Sequence, residues 1–223
     1  MVELTYLFVA VLAVASLVEA NRFCQLPTCD WEEHTMCRFP SPQPARQCVA
    51  YKSASLTPEE KKEILYAHNT FRARVASGRE TRGLGGPQPV GNIPPLQWDE
   101  ELAQIAQRWA NQCNFGHDKC RNVDRFRVGQ NVAYKGWSDG YNTKLTELVT
   151  MWYDEVEHFD RSLISSFQFH TKIGHYTQMV WGKTTTVGCG LVRYKKDDMF
   201  TTYLVCNYGE RGNMENEPIY ETR

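Results

Sequence analysis

Three ionisable residues stand where this chain would otherwise place aliphatic ones. His68 falls among Ile64, Phe71 and Val75, which recur at helical spacing. Glu155 shares a face with Leu148, Trp152 and Phe159 at 100° per residue. His175 sits in a run where His175, Thr177, Met179 and Trp181 alternate with Tyr176, Gln178 and Val180. Burying an ionisable group is costly unless it is paired, so three such misfits invite a shared site. Two imidazoles and a carboxylate form a donor set for a divalent metal such as Zn²⁺ with an open position, the chemistry of a metal-dependent hydrolase. The plainer alternative is that each is a core polar group satisfied by a hydrogen bond. A further pattern, Gly136-Trp137-Ser138-Asp139-Gly140, matches the GxSxG turn of serine hydrolases. That turn belongs to a large, mostly parallel sheet, with a second oxyanion donor from an HGGG-type segment. Neither is present in this chain, and a surface Gly/Ser/Asp turn accounts for the five residues.

The elements that must position these groups are legible in order. Thr57-Pro58-Glu59-Glu60 opens a helix with an N-cap, a proline in the first turn and a capping box, and Gly78 ends it after about Ser77. Residues 79–97 are a Gly/Pro-rich loop. Asp99 caps a second helix to about Cys113, burying Leu102, Ile105, Ala106 and Trp109. Residues 114–126 form an irregular link, 127–135 a short strand, and about Lys144 to Phe159 a third helix. The period of two over 174–181 reads as a strand. The runs 186–194 and 200–208, separated by Lys195-Lys196-Asp197-Asp198, form a hairpin. Centred between the two aspartates, it sets Cys189 directly opposite Cys206, at the spacing of a disulfide. The class is α+β, with helices on both faces of a mainly antiparallel sheet.

The first 20 residues, MVELTYLFVAVLAVASLVEA, read as a signal peptide cleaved before Asn21, although Glu3 stands where a basic residue is usual. Eight cysteines, an even number with no CxxC pair, then indicate four disulfides in an oxidising compartment. Residues 21–55 hold four of those eight cysteines and lack periodicity, so they form a loop-built, Cys-rich extension ahead of a domain over 56–223. With 25 basic and 26 acidic side chains there is no charge excess to attract nucleic acid. No segment after the signal peptide is long and apolar enough to span a bilayer. His34, His117, His158 and His170 read as loop or solvent-facing histidines.

Residues 174–190 and 203–213 closely resemble the two signature segments of the CAP superfamily of cysteine-rich secretory proteins, antigen 5 and pathogenesis-related proteins. The likeness extends to His68-Asn69-Thr70-Phe71-Arg72, to GQNVA at 129–133 and to Trp152-Tyr153-Asp154-Glu155. The Cys-rich extension and ETRGLGGPQP are similar to insect antigen 5, a venom and salivary allergen. The resemblance implies a secreted, monomeric, three-layer α-β-α sandwich. It also implies the bridges Cys24–Cys37, Cys29–Cys120, Cys48–Cys113 and Cys189–Cys206. It implies a cavity of two histidines and two acids, placed on His68, His175, Glu155 and position 130. Here position 130 is Gln, which takes no proton from water and is a poor metal ligand. The expectation is therefore a non-enzymatic effector that binds a sterol, a fatty acid or another small apolar ligand and engages host extracellular proteins. It requires no cofactor, with Zn²⁺ on His68, His175 and Glu155 as the optional one. The alternative is the hydrolase on the same three residues.

Overall fold

The computed structural model describes residues 22–30 and 32–223. The expected signal peptide lies outside the described residues. Helix α1 spans Pro58–Ala76 and carries the capping box the sequence announces: Thr57 Oγ1 accepts from the Glu60 N–H, and Glu60 Oε2 accepts from the Thr57 N–H. Asp99 caps α2 (Glu100–Ala110) by accepting from the Leu102 N–H. This helix ends earlier than the expected Cys113. Strand β3 (Gly129–Trp137) leads to α3 (Leu145–Tyr153), which stops six residues before the predicted Phe159. A 3₁₀ segment, Asp154–His158, takes its place, so Glu155 leaves the apolar face on which a continuous helix would put it.

The hairpin is as read. β4 (Thr186–Lys196) and β5 (Met199–Gly209) pair antiparallel with Cys189 opposite Cys206, and the two are bridged. Asp197 and Asp198 both have positive φ, the geometry of a tight two-residue hairpin turn. With β2 (Gln97–Trp98) parallel to β4, the sheet runs β2-β4-β5-β3. A separate pair joins β1 (Gly91–Asn92) to β6 (Glu221–Thr222).

Alternation along the strands feeds two cores. Cys189, Leu191, Leu204 and Cys206 face α1, α3 and the segment around residue 176, while Val192, Tyr203 and Val205 face α2. α2 lies directly on β4 because two strand positions lack side chains. A Cβ on Gly188 would stand 2.3 Å from the Ala103 nitrogen, and one on Gly190 2.2 Å from that of Gln107. The result is the α-β-α sandwich. The extension packs Phe23 and Leu26 against Leu102, Ile105, Val123 and Val128. Its bridges Cys24–Cys37, Cys29–Cys120 and Cys48–Cys113 match the pairing the resemblance implies.

One element differs in kind. Residues 174–181 do not form a strand; Gly174–Val180 is a seven-residue helix, α4. Its apolar side chains Tyr176, Met179 and Val180 are wholly buried. At its far end Arg72, only 1% exposed, donates to four carbonyls, those of Pro94, Met179, Trp181 and Thr184, at 2.8–3.0 Å. Burial lowers the guanidinium pKa to about 9, which still leaves it charged at neutral pH.

Arg72→Met leaves those carbonyls buried without a donor. Urea unfolding should report a loss of about 3 kcal/mol or more, with Arg72→Lys intermediate because an ammonium reaches fewer of them. An unchanged midpoint in Arg72→Met would mean that the carbonyls find other donors.

Candidate functional site

α4 begins with no side-chain cap of its own. The cap comes from the 3₁₀ segment: Glu155 Oε2 accepts from the backbone N–H groups of His175 (2.8 Å) and Tyr176 (3.1 Å). The other oxygen, Oε1, accepts from His175 Nδ1 at 2.6 Å. A carboxylate can only accept here, so His175 carries a proton on Nδ1, and in the neutral ring the lone pair falls on Nε2. The His175 side chain is 31% exposed and stacks on the Trp152 indole, 6.2 Å between ring centres.

A second imidazole with the same arrangement stands on the 114–120 loop. His117 Nδ1 lies 2.9 Å from Gln130 Oε1, and Gln130 is nearly buried at the start of β3. The Gln130 amide nitrogen in turn donates to Asp118 Oδ1 (3.1 Å) and Asn207 Oδ1 (3.0 Å). Asp118 also accepts from Thr35 of the extension and pairs with Arg121. Burial lowers the His117 pKa. The Gln130 contact opposes that shift, and the charge of Arg121 adds to it. The bridge Cys29–Cys120 ties this loop to the extension.

The expected pair of His68 with His175 therefore needs correction. His68 is 0% exposed on α1, donates from Nδ1 to the Ile64 carbonyl at 2.8 Å, and accepts on Nε2 from the Tyr208 hydroxyl at 2.8 Å. Both ring nitrogens are spent on buried partners, so neither is free for a ligand. Burial holds its pKa down at about 4. Its place is behind the site: Asn131 Nδ2 donates to that same tyrosine oxygen (3.2 Å) and to the His175 carbonyl (3.1 Å). Among the described residues no group of three or more His, Cys, Asp or Glu side chains is placed to hold a metal.

His175 and Glu155 thus stand together at the head of α4, His117 pairs with Gln130 between the 114–120 loop and β3, and His68 has both ring nitrogens engaged behind α4. His117 was passed over because an irregular loop gives no periodicity against which a polar residue looks misplaced. Two other readings change. His34 is not solvent-facing but wholly buried, capping a short helix by accepting from the Met36 N–H and stacking on Phe23. Ser138 lies on an exposed turn after the edge strand β3.

A disulfide-held α-β-α sandwich with His175 at the head of a short helix capped by Glu155 is the class these features define. The model of the cysteine-rich secretory protein family, CAP, matches residues 65–208, and the chain belongs to that family. It is 49% identical to venom allergen 3 of Solenopsis invicta over 212 residues, covering 92% of this chain and 91% of that protein. It is 43% identical to venom allergen 5 of Microctonus hyperodae over the full length of both. Among solved structures it is similar to BmVAL-1 (35% identity, TM-score 0.66, 75% of this chain and 84% of that one). It is also similar to NaASP2, solved with Zn²⁺ (28% identity, TM-score 0.64, 77% and 90%). It is a secreted, extracellular protein of the antigen 5 type.

Two outcomes are expected. The unfolded chain protonates His68 near pH ~6.5, whereas the folded one resists until about 4. The unfolded state therefore binds the extra proton, and stability falls as pH drops through that window. His68→Gln should flatten the fall by about 3 kcal/mol, read as urea midpoints from pH 7 to 4. Equal slopes in the two proteins would show that His68 is protonated within the fold. Gln130→Glu would set a second carboxylate against Asp118. Its destabilisation, about 1–3 kcal/mol at pH 7.5, should shrink at pH 5 as one proton becomes shared. A deficit independent of pH would count against charge repulsion as its cause.

Proposed function

We propose that this protein acts by binding rather than by turnover, as a secreted effector that carries a small apolar ligand and meets host extracellular proteins through its loops. The observation that carries this reading is that the site's acidic oxygens are already committed. Glu155 uses both oxygens to cap α4 and to hold His175, and Asp118 is engaged by Gln130, Thr35 and Arg121. At position 130 an amide replaces the acid a hydrolase would use as a base. A cleft of about 440 Å³ beside α4 supports the carrier reading. Leu84, Leu163, Phe169 and Ile173 line it, and Leu84 and Phe169 are each 55% exposed. His158, Gln168, His170 and Lys172 stand around them as donors for a carboxylate head, with Asp160 as the one opposing charge.

A second reading is favoured by the imidazoles themselves. His117 and His175 each have Nδ1 fixed by a neighbour and Nε2 free, which is how metal-binding histidines are held. The donor set fits a cation such as Zn²⁺, the ion with which the similar NaASP2 was solved. Two imidazoles fill only part of a tetrahedral shell, so such an ion would leave positions for an outside ligand.

Native mass spectrometry of the purified protein, followed by titration with long-chain fatty acids, tests the carrier reading. A bound lipid is expected, and Phe169→Ser with Leu84→Ser should weaken it by roughly tenfold. A protein that arrives empty and ignores fatty acids and sterols would remove that reading. Peptide and ester turnover with added Zn²⁺ should stay at background, and turnover lost in His117→Ala or His175→Ala would restore the hydrolase.

A further inference from the structure

We propose that Asp118 and Asn207 set the tautomer of His117 by fixing which way round the Gln130 amide lies. The inference rests on the cation reading above only for its consequence; the tautomer itself is a property of the unliganded chain.

Hydrogen-bond bookkeeping leaves one orientation. The amide of Gln130 has a donor end and an acceptor end of nearly equal shape. At its inner end two oxygens wait. Asp118 Oδ1 belongs to a carboxylate that pairs with Arg121 and accepts from Thr35 through its other oxygen, and so can only accept. Asn207 Oδ1 faces Gln130 because the nitrogen of that side chain donates to the Leu102 carbonyl. Gln130 must therefore turn its NH₂ inward. The flipped amide would press its carbonyl against two oxygens in a buried setting and forfeit both hydrogen bonds.

What remains is Gln130 Oε1 pointing outward at His117 Nδ1, 2.9 Å away. An acceptor there requires an N–H, so the neutral ring carries its proton on Nδ1 and its lone pair on Nε2. In water a neutral imidazole side chain favours the opposite tautomer. The chain Asp118–Gln130–His117 thus does with an amide what Glu155 does directly for His175, and both rings present Nε2. Gln at position 130 keeps the orienting acceptor while avoiding a second buried charge beside Asp118. Asp118 and Asn207 are positioning residues; neither touches a ligand.

The test is ¹⁵N–¹H long-range NMR of the imidazoles in the full disulfide-bonded protein at pH 8, without metal. Both His117 and His175 should show a protonated Nδ1 and an unprotonated Nε2. A wild-type His117 protonated on Nε2 overturns the proposal outright, whatever the variants do. Gln130→Met should return His117 to mainly Nε2–H, Asp118→Asn should give a mixture, and Gln130→Glu should preserve Nδ1–H. The His175 signature, held by Glu155, reports that each variant is folded. His117 keeping Nδ1–H in folded Gln130→Met would also overturn the assignment. Zinc titration separates this from the cation reading. An expected weakening in Gln130→Met of about tenfold or more joins the two. The expected tautomer with no zinc binding removes the cation reading alone, and zinc binding with the other tautomer removes this one alone.

Discussion

A seven-residue helix has too few internal hydrogen bonds to persist by itself, so α4 exists because both of its ends are met by opposite charge. At its amino end the Glu155 carboxylate accepts from the first N–H groups. Near its carboxyl end the Arg72 guanidinium gathers the carbonyls of Met179 and Trp181. Acid at the positive end and base at the negative end is the arrangement the helix dipole favours. Each partner comes from a different element, the 3₁₀ segment after α3 and the carboxyl-terminal third of α1. The helix is therefore also the joint at which those two elements are fastened to the sheet.

The site inherits its geometry from this joint. His175 is the second residue of α4, and the carboxylate that caps the helix also holds its ring. Behind it runs a buried chain from the Ile64 carbonyl through His68, Tyr208 and Asn131 to the His175 carbonyl. His68 is thus a beam rather than a ligand. The loop bearing His117 is irregular and depends on cross-links. Cys29–Cys120 fastens it to the extension, and Thr35 reaches Asp118 from the same direction. The Cys-rich extension has little core of its own, yet it supports one of the two imidazoles.

This division leaves the acids near the histidines engaged by the fold itself. Carboxylates that cap a helix or orient a ring have their oxygens occupied by donors from within the fold. Glu155 and Asp118 are both of this kind. The architecture spends Glu155 on α4 and His175, and Asp118 on Gln130, Thr35 and Arg121.

The sequence by itself determined those features whose causes are local. The capping box of α1, the Asp99 cap of α2, the hairpin centred on Asp197 and Asp198 and the Cys189–Cys206 pairing each follow from neighbouring residues. The sandwich, the other three bridges and the family followed from motif likeness. His175 and Glu155 were visible as polar residues out of place. Only the tertiary structure decided the rest. The alternation over 174–181 suits a strand equally well until Arg72 and Glu155, distant in sequence, satisfy the ends of a helix. The choice between His68 and His117 was likewise settled by which ring keeps a nitrogen free. That depends on Tyr208 and Gln130 arriving from separate strands, and no spacing along the chain records which donor meets which acceptor.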